Sequence, residues 1–425
     1  MKKKIELTSD LKYQLLRDIS HKIRGTLDLD KILNLLLDLL ANIIDYDAAG
    51  IFVLSEDINN SAYHSPKQKI ESMAQRGFGN IPLEADEMLM EAKGIVGQTI
   101  KIGKSIILND VRKDERYIPG RKETLSEITI PITREGKTIG AFNVESDKLS
   151  AFEQNDIVIL EFFADAAAIS IDKALLHYQI LEKKKIEEQL QIAKDVQTGL
   201  LPSSPPEINN YTFSDVCIPT FDIGGDYFDY IPIDKNRIAI VIADVSGDGV
   251  PAALIMAAFR ALLRFNARLN TTPDKLMKTM NEQVSDFMRK RDFISVFYGI
   301  LNFNRHSFVY SNCGHNPALL LKNKSMTLLE GGGPALNILS ENEFTYNELK
   351  LETGDQILLY TDGVVEVFSN NKKEFGLGRL KEVFESNSNL SPKEIIKSII
   401  DATKEFTGSD VFNDDFTILL MKKIS

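Results

Sequence analysis

The sequence predicts an α+β fold in two parts joined by a helical segment, and three observations carry that prediction. Residues 11–44 hold apolar side chains at helical spacing, such as Ile32, Leu35, Leu36, Leu39 and Leu40; short strand-like runs follow, and then a second helical pattern from Phe152 to Leu176. The run Glu182 to Glu188 is almost wholly charged, and Leu200-Leu201-Pro202 ends the segment, because proline disfavours helix at the residue before it. In the second half, four aspartates each lie beside a small residue, another acid or the end of an apolar run.

Each element follows from a local pattern. The strand-like runs of the first part are Ala48 to Leu54, Ser105 to Leu108, Glu127 to Ile132 and Thr138 to Val144. Helix, mixed sheet and closing helix place a sensory α+β domain at residues 11–175. Residues 176–202 form the helical linker, along which Ile186, Leu190 and Ala193 make a thin apolar stripe. A solvated helix accounts for it plainly. A short parallel coiled coil holding a homodimer accounts for the stripe as well, since such a stripe must bury against something. Ser203 to Pro206 is a stiff polar connection into a domain at residues 203–425.

Composition narrows the function. A chain of 425 residues suits two or three domains, each with its own core. The net charge of −11 argues against nucleic acid as a partner, which needs clustered Lys and Arg. Cys217 and Cys313 offer neither a disulfide framework nor a zinc spacing, which suits a reducing cytosol. The basic start, Met1 to Lys4, lacks a signal-peptide apolar core after it. The apolar helical stretches Ile32 to Ile44 and Ile157 to Ile171 contain acids and are too short for a membrane span. A cytoplasmic protein without a membrane span is expected.

The four aspartates are Asp226 in Gly224-Gly225-Asp226, Asp244 after the apolar run Ile238 to Ala243, Asp362 after Ile357 to Tyr360, and Asp414 before Thr417 to Met421. Carboxylates at the ends of adjacent strands can converge, and uncompensated ones repel unless a cation lies between them. All-oxygen donors select hard ions, Mg²⁺ or Mn²⁺. The matching chemistry is metal-assisted hydrolysis of a phosphate ester. A lone aspartate at a strand end is more often a turn former or helix cap, so the argument rests on the set.

From Ala193 onward seven segments occur in an order that resembles the PPM-type metal-dependent serine/threonine phosphatases, and most of all their bacterial sporulation and stress-response branch. They are Gln197 to Pro202, Gly224 to Asp229, Ala243 to Leu254, Gly314 to Leu320, Gly331 to Pro334, Tyr360 to Val364 and Asp414 to Thr417. The resemblance implies an α-β-β-α sandwich that binds two Mn²⁺ or Mg²⁺ ions. It assigns Asp226, Asp244, Asp362, Asp414 and the Val245 carbonyl as ligands, Asp244 bridging, with Asp229 behind them and Asp415 a polar neighbour. It implies attack on phosphorus by a metal-bridging hydroxide without a phosphoenzyme. The substrate class it implies is phosphoserine or phosphothreonine on a regulatory protein, in this branch an anti-sigma-factor antagonist of the STAS type. The first part resembles a GAF domain through Gly94 to Gly97, Asn109 to Val111, Ser126-Glu127, Ile130 to Ile132 and Ile139-Gly140 to Glu145-Ser146. That likeness implies a small ligand or protein partner, of unknown identity, at the sensor.

Other residues are weighed beside these. Many family members carry a histidine two residues after the bridging aspartate; here Ser246 stands there, and the sporulation branch also often lacks the histidine. Asp248 reads as a turn residue or the holder of a further ion. His315 is expected to be structural, and Gly331-Gly332-Gly333 a permissive turn without a phosphate-binding lysine after it. Leu319 stands where a cysteine phosphatase based on Cys313 needs arginine. Gly224 to Phe228 looks like a diguanylate cyclase motif, but too little chain separates it from the linker helix to build that fold. The remaining alternative is a catalytically weak phosphatase fold that only docks a partner; four retained carboxylates argue against it.

Overall fold

The computed structural model describes residues 17, 19, 22, 26–54, 70–78, 93–220, 223–269, 272–339, 342–369, 371–412 and 414–425. The chain divides into two compact units, Met1–Lys185 and Ile186–Ser425. The opening helical pattern ahead of residue 26 lies, apart from residues 17, 19 and 22, outside the described residues.

In the first unit, strands β1 (Ala48–Leu54), β2 (Ile70–Arg76), β3 (Ile106–Leu108), β4 (Ser126–Arg134) and β5 (Lys137–Ser146) form an antiparallel sheet in the order β2-β1-β5-β4-β3. Among the described residues the helices α1 (Leu29–Leu40), α2 (Gly94–Ile102) and α3, which begins at Gln154, accompany it. Asp28 caps α1 by accepting from the Lys31 N–H. Ile128, Ile130, Phe142 and Val144 on one sheet face join Leu33, Leu36 and Leu37 of α1 and Leu160, Phe163 and Ala167 of α3 in a single apolar core. The pleat sends Glu127, Thr129, Asn143 and Glu145 to the other face.

Helix α3 continues to Thr198 as one element of 45 residues. The helix expected to close the sensor and the linker helix expected after it are therefore continuous. The charged run Glu182 to Glu188 does not interrupt it, because Glu, Lys and Gln are good helix formers and these side chains face solvent.

The second unit stacks four layers. Strands β6 (Tyr211–Ile218), β7 (Tyr227–Asp234) and β8 (Arg237–Val245) precede helices α4 (Gly249–Asn266) and α5 (Pro273–Val284). After them come β9 (Ile294–Asn302), β10 (Ser307–Cys313), β11 (Ala318–Lys322), β12 (Ser325–Leu329), β13 (Gly332–Gly333), β14 (Asn347–Lys350) and β15 (Gln356–Tyr360). Helices α6 (Asp362–Val365), α7 (Gly376–Ser386) and α8 (Pro392–Thr407) and strand β16 (Phe416–Lys423) finish the unit. One sheet runs β13-β10-β9-β8-β7, with β14 on β10, and the other β12-β11-β15-β16-β6.

Alternation along the strands builds the layers. Ile240 and Ile242 of β8 meet Leu419 of β16 between the sheets, while Val241 and Ala243 pack against Met256 and Phe259 of α4. On the far side Ile418 and Leu420 pack against Leu380 of α7 and Ile395 of α8. This is the expected α-β-β-α sandwich. Helix α4 is long and apolar enough by composition to cross a membrane, but Ala252, Met256, Phe259 and Leu263 lie in this core. The glycines Gly332-Gly333, expected as a turn, instead pair in parallel with Asn312-Cys313.

Candidate metal centre

The sandwich brings the sequence-selected aspartates to one end of its strands. Asp244 is the penultimate residue of β8, and Asp226 immediately precedes β7, its antiparallel neighbour. Asp362 opens α6 directly after β15, and Asp414 precedes β16, which pairs with β15.

Two threonines fix the deepest carboxylate. Asp226 is buried, and its Oδ2 accepts from Thr361 Oγ1 at 2.8 Å and from Thr417 Oγ1 at 2.5 Å. Thr361 Oγ1 in turn accepts from the Thr417 N–H at 3.1 Å, tying β15 to β16 beneath the site. Hydrogen bonds to a charged acceptor are worth about 1.5–3 kcal/mol each, which helps to offset burial of the charge.

Asp415 does more than the sequence foretold. Its Oδ1 accepts from the Thr220 N–H and its Oδ2 from the Gly225 N–H, both at 2.8 Å. The loop that presents Asp226 is thus hung on a carboxylate next to Asp414. Gly225 is needed there: a Cβ on it would lie 2.7 Å from the Val245 carbonyl oxygen. Gly363 is needed as well, since its Cβ would lie 2.1 Å from the Asp415 carbonyl oxygen.

The carboxylates act on one another. Asp244 is pushed up to about 7, first by burial and then by the charges of Asp362, Asp414, Asp415 and Asp248. Asp226 is raised far above the ordinary range by burial and then by Asp244, against the opposing effect of the two threonine hydroxyls. Burial, followed by Glu366, raises Asp362. Burial raises Asp414 too, with Asp362, Asp415 and Asp248 adding to it and the Asp415 N–H working against it. A mutually repelling, all-oxygen donor set of this kind fits hard divalent cations. Among the described residues, no three His, Cys, Asp or Glu side chains already stand close enough together to hold a metal ion.

The other candidates have partners of their own. Asp229 is buried in a network with Arg264 Nε at 3.1 Å, the Tyr227 hydroxyl at 2.6 Å and the Tyr230 N–H at 2.8 Å. Ser246 Oγ accepts from the Phe293 N–H at 2.8 Å, a structural contact. Asp248 is exposed at the start of α4, close enough to raise both Asp244 and Asp414. His315 is buried, its Nδ1 2.7 Å from Ser295 Oγ, and burial holds it down to about 4. In the last turn of α3, the Gln197 amide donates to the Gly224 carbonyl at 2.7 Å and accepts from the Gly224 N–H at 3.1 Å.

Comparison with known proteins agrees with this architecture. Residues 234–423 match the stage II sporulation protein E family, and residues 26–172 match the GAF domain family. Phosphoserine phosphatase RsbU of Bacillus subtilis is 30% identical over 245 residues, covering 57% of this chain and 72% of RsbU. Phosphoserine phosphatase RsbP of the same organism is 26% identical over 194 residues, 44% of this chain and 47% of RsbP. The SiaA-PP2C domain of Pseudomonas aeruginosa superposes with a TM-score of 0.51 at 20% identity, covering 57% of this chain and 98% of that domain.

Proposed function

Because the chain belongs to the stage II sporulation protein E family of serine/threonine protein phosphatases, with a GAF domain ahead of the catalytic one, we propose that it dephosphorylates a small regulatory protein with the help of two Mn²⁺ or Mg²⁺ ions. The substrate we favour is a serine- or threonine-phosphorylated anti-sigma-factor antagonist of the STAS type, in the cytoplasm. The observation that carries the metal reading is the gathering of Asp226, Asp244, Asp362 and Asp414 at the ends of paired strands, where burial and then the neighbouring carboxylates push Asp244 up. Asp226, Asp244, Asp362, Asp414 and the Val245 carbonyl would hold the ions. When bound, the ions supply Lewis acidity toward water and toward the phosphoryl oxygens.

The remaining work falls to the chain's own groups. Thr361 and Thr417 keep Asp226 in one rotamer. Asp415 aligns the Gly225 amide and, through it, the loop that delivers Asp226. His315, held neutral by burial, ties Ser295 of β9 behind Asp244, its cross-strand partner on β8, and is not the imidazolium that a general acid there would need.

The test is direct. Purified chain with Mn²⁺ should release phosphate from a serine-phosphorylated STAS-domain protein and from p-nitrophenyl phosphate, and excess EDTA should abolish both. Full activity in EDTA would refute the metal assignment. No turnover with Mn²⁺ or Mg²⁺ would favour a fold that only docks its partner.

Regulation is assigned to α3 acting in a homodimer. On this helix Ile186 is more than half exposed and Leu190 and Ala193 are partly exposed in the single chain, so the stripe they form is open to burial against a second copy. Gln197 then supports the coupling, because it grips both polar groups of Gly224 two residues before Asp226. A small ligand or protein at the GAF domain can alter catalysis only by favouring one state of such an element. Replacing Ile186 and Leu190 by Asp should split the dimer, read by light scattering, and free the activity from control by the sensor. A variant that is monomeric yet regulated like the full chain, or a wild-type chain that is monomeric, would rule the coupling out.

A further inference from the structure

The sensor sheet has an acidic face that its own fold does not satisfy. Glu127 on β4 and Glu145 on β5 are direct cross-strand partners, and both are buried. Like charges placed directly opposite are destabilising, so a sheet without a use for them has no reason to keep them. The neighbouring row on the same face is also polar: Thr129 opposes Asn143, Asn143 opposes Gly50, and Gly50 opposes Gln75.

The hydrogen bonding there is lopsided. Glu145 accepts from Thr124 Oγ1 at 2.5 Å and from the Asn143 amide at 3.1 Å. Glu127 has only a long contact, 3.4 Å, from Thr129 Oγ1 to one oxygen. Its other oxygen is buried with no hydrogen-bond partner, and so is Gln75 Oε1; the buried Tyr117 hydroxyl has only Thr124 near it, without good hydrogen-bond geometry. Tyr117 is raised by burial and then by the charges of both Glu145 and Glu127, which places it beside the pair. Glu127 is itself raised far above the ordinary range by burial and by Glu145. The adjacent cation, Arg121, is taken by Asp147 at 3.2 Å. The face thus leaves two buried acceptors, Glu127 Oε2 and Gln75 Oε1, without a donor, beside the Tyr117 hydroxyl and an Arg121 Nη1 that lacks a well-aligned acceptor.

An aromatic wall stands next to the acids. A Cβ on Gly120 would lie 3.4 Å from the Phe78 ring and 3.8 Å from Glu145 Oε1. A Cβ on Gly50 would lie 3.2 Å from the Phe52 ring and 3.6 Å from Phe78. Carboxylates, orphan acceptors and ring faces together recognise a compact N–H donor with positive charge. A hard metal ion fits less well, because among the described residues the group supplies two carboxylates and no third acid, histidine or cysteine in a metal cluster.

We propose that this face of the GAF domain is a binding site for a small molecule bearing a free ammonium group, such as an amino acid or a short polyamine. The ammonium is seated between Glu127 and Glu145, with Gln75 and Tyr117 as further partners and its carbon skeleton against Phe78. Glu127 and Glu145 then balance its charge, and the repulsion across the strand pair is relieved.

The full chain should be titrated by calorimetry with the common amino acids, putrescine and spermidine, and with the N-acetyl form of each that binds. At least one amine should bind at millimolar concentration or below, and its N-acetyl form should not. Glu127→Gln and Glu145→Gln, which keep shape and remove charge, should each weaken binding by about tenfold or more. Equal binding of an amine and its acetylated form would overturn the proposal, and that arm needs no variant to fold. Binding unchanged in both Gln variants, or no binding by any of these amines, would overturn it as well. Because the readout is binding and not phosphate release, a negative result here is separate from failure of the catalytic or coupling readings.

Discussion

Asp244→Asn and Asp362→Asn are each expected to lower kcat by at least about 10²-fold, because each would remove charge from the donor set proposed to hold the ions and to support transition-state charge. Asparagine keeps the shape of the side chain, so strands β8 and β15 should survive. In the folded wild type, burial and the surrounding carboxylates already oppose the charge of Asp244. Removing it should relieve repulsion, so these variants should melt no lower than wild type while losing turnover. His315→Ala should behave in the opposite way. That imidazole is buried against Ser295 and is neutral at physiological pH. Its loss should cost stability, with a far smaller effect on kcat in protein shown to be folded by circular dichroism. Equal losses of kcat in all three folded variants would contradict these roles.

Gly363→Ala should be nearly as damaging, through packing and not charge. The new methyl would sit 2.1 Å from the Asp415 carbonyl oxygen and 2.9 Å from its carbon. Both are backbone atoms of the segment that also carries Asp414. Relief requires α6 and that segment to part, which separates Asp362 from Asp414. Overpacking of this kind costs ~1–3 kcal/mol, and a shift of one ångström at a reacting centre can cost about 10²-fold in rate. Gly378→Ala is the control. Nothing lies within 4 Å of its Cβ position, and it sits in helix α7. It should leave the rate alone and raise stability by up to ~1 kcal/mol. Thermal melts and phosphate release on the two variants decide the matter, and a Gly363→Ala enzyme with wild-type kcat would refute the close-contact argument.

What could be read from the sequence was what local pattern encodes. Asp244 and Asp362 stood out because apolar strand runs lead straight into them, and those runs became β8 and β15. The first strand, Ala48–Leu54, was legible for the same reason. The continuity of α3 was not legible, because a charged stretch without strong apolar periodicity looks the same whether it joins two helices or lies inside one. The role of Asp415 was hidden too. Its partners, the amides of Thr220 and Gly225, lie 195 and 190 residues away, and no local signal reports a contact of that span. The partner of Asp229 was hidden as well: three residues from Asp226, it pairs with Arg264, 35 residues on. The acid pair of the sensor was visible only as separate family-like segments until strand register set Glu127 opposite Glu145.

The pairing of β16 with β6 has a consequence for the order of events during synthesis. β6 is the first strand of the catalytic unit to leave the ribosome and β16 the last, yet they are neighbours in the sheet. A nascent chain that lacks β16 has β6 without a partner, one edge of β15 open, and no Asp415 to hold the Asp226 loop. Contacts of such separation close late, after the loop entropy between them has been met. Until then the open edges are places where another chain can add, and a chaperone has reason to bind them. The same topology withholds Asp414 until the sheet is closed. If Asp414 serves the site as proposed, a half-made copy is inactive, and dephosphorylation begins only once the sheet has closed.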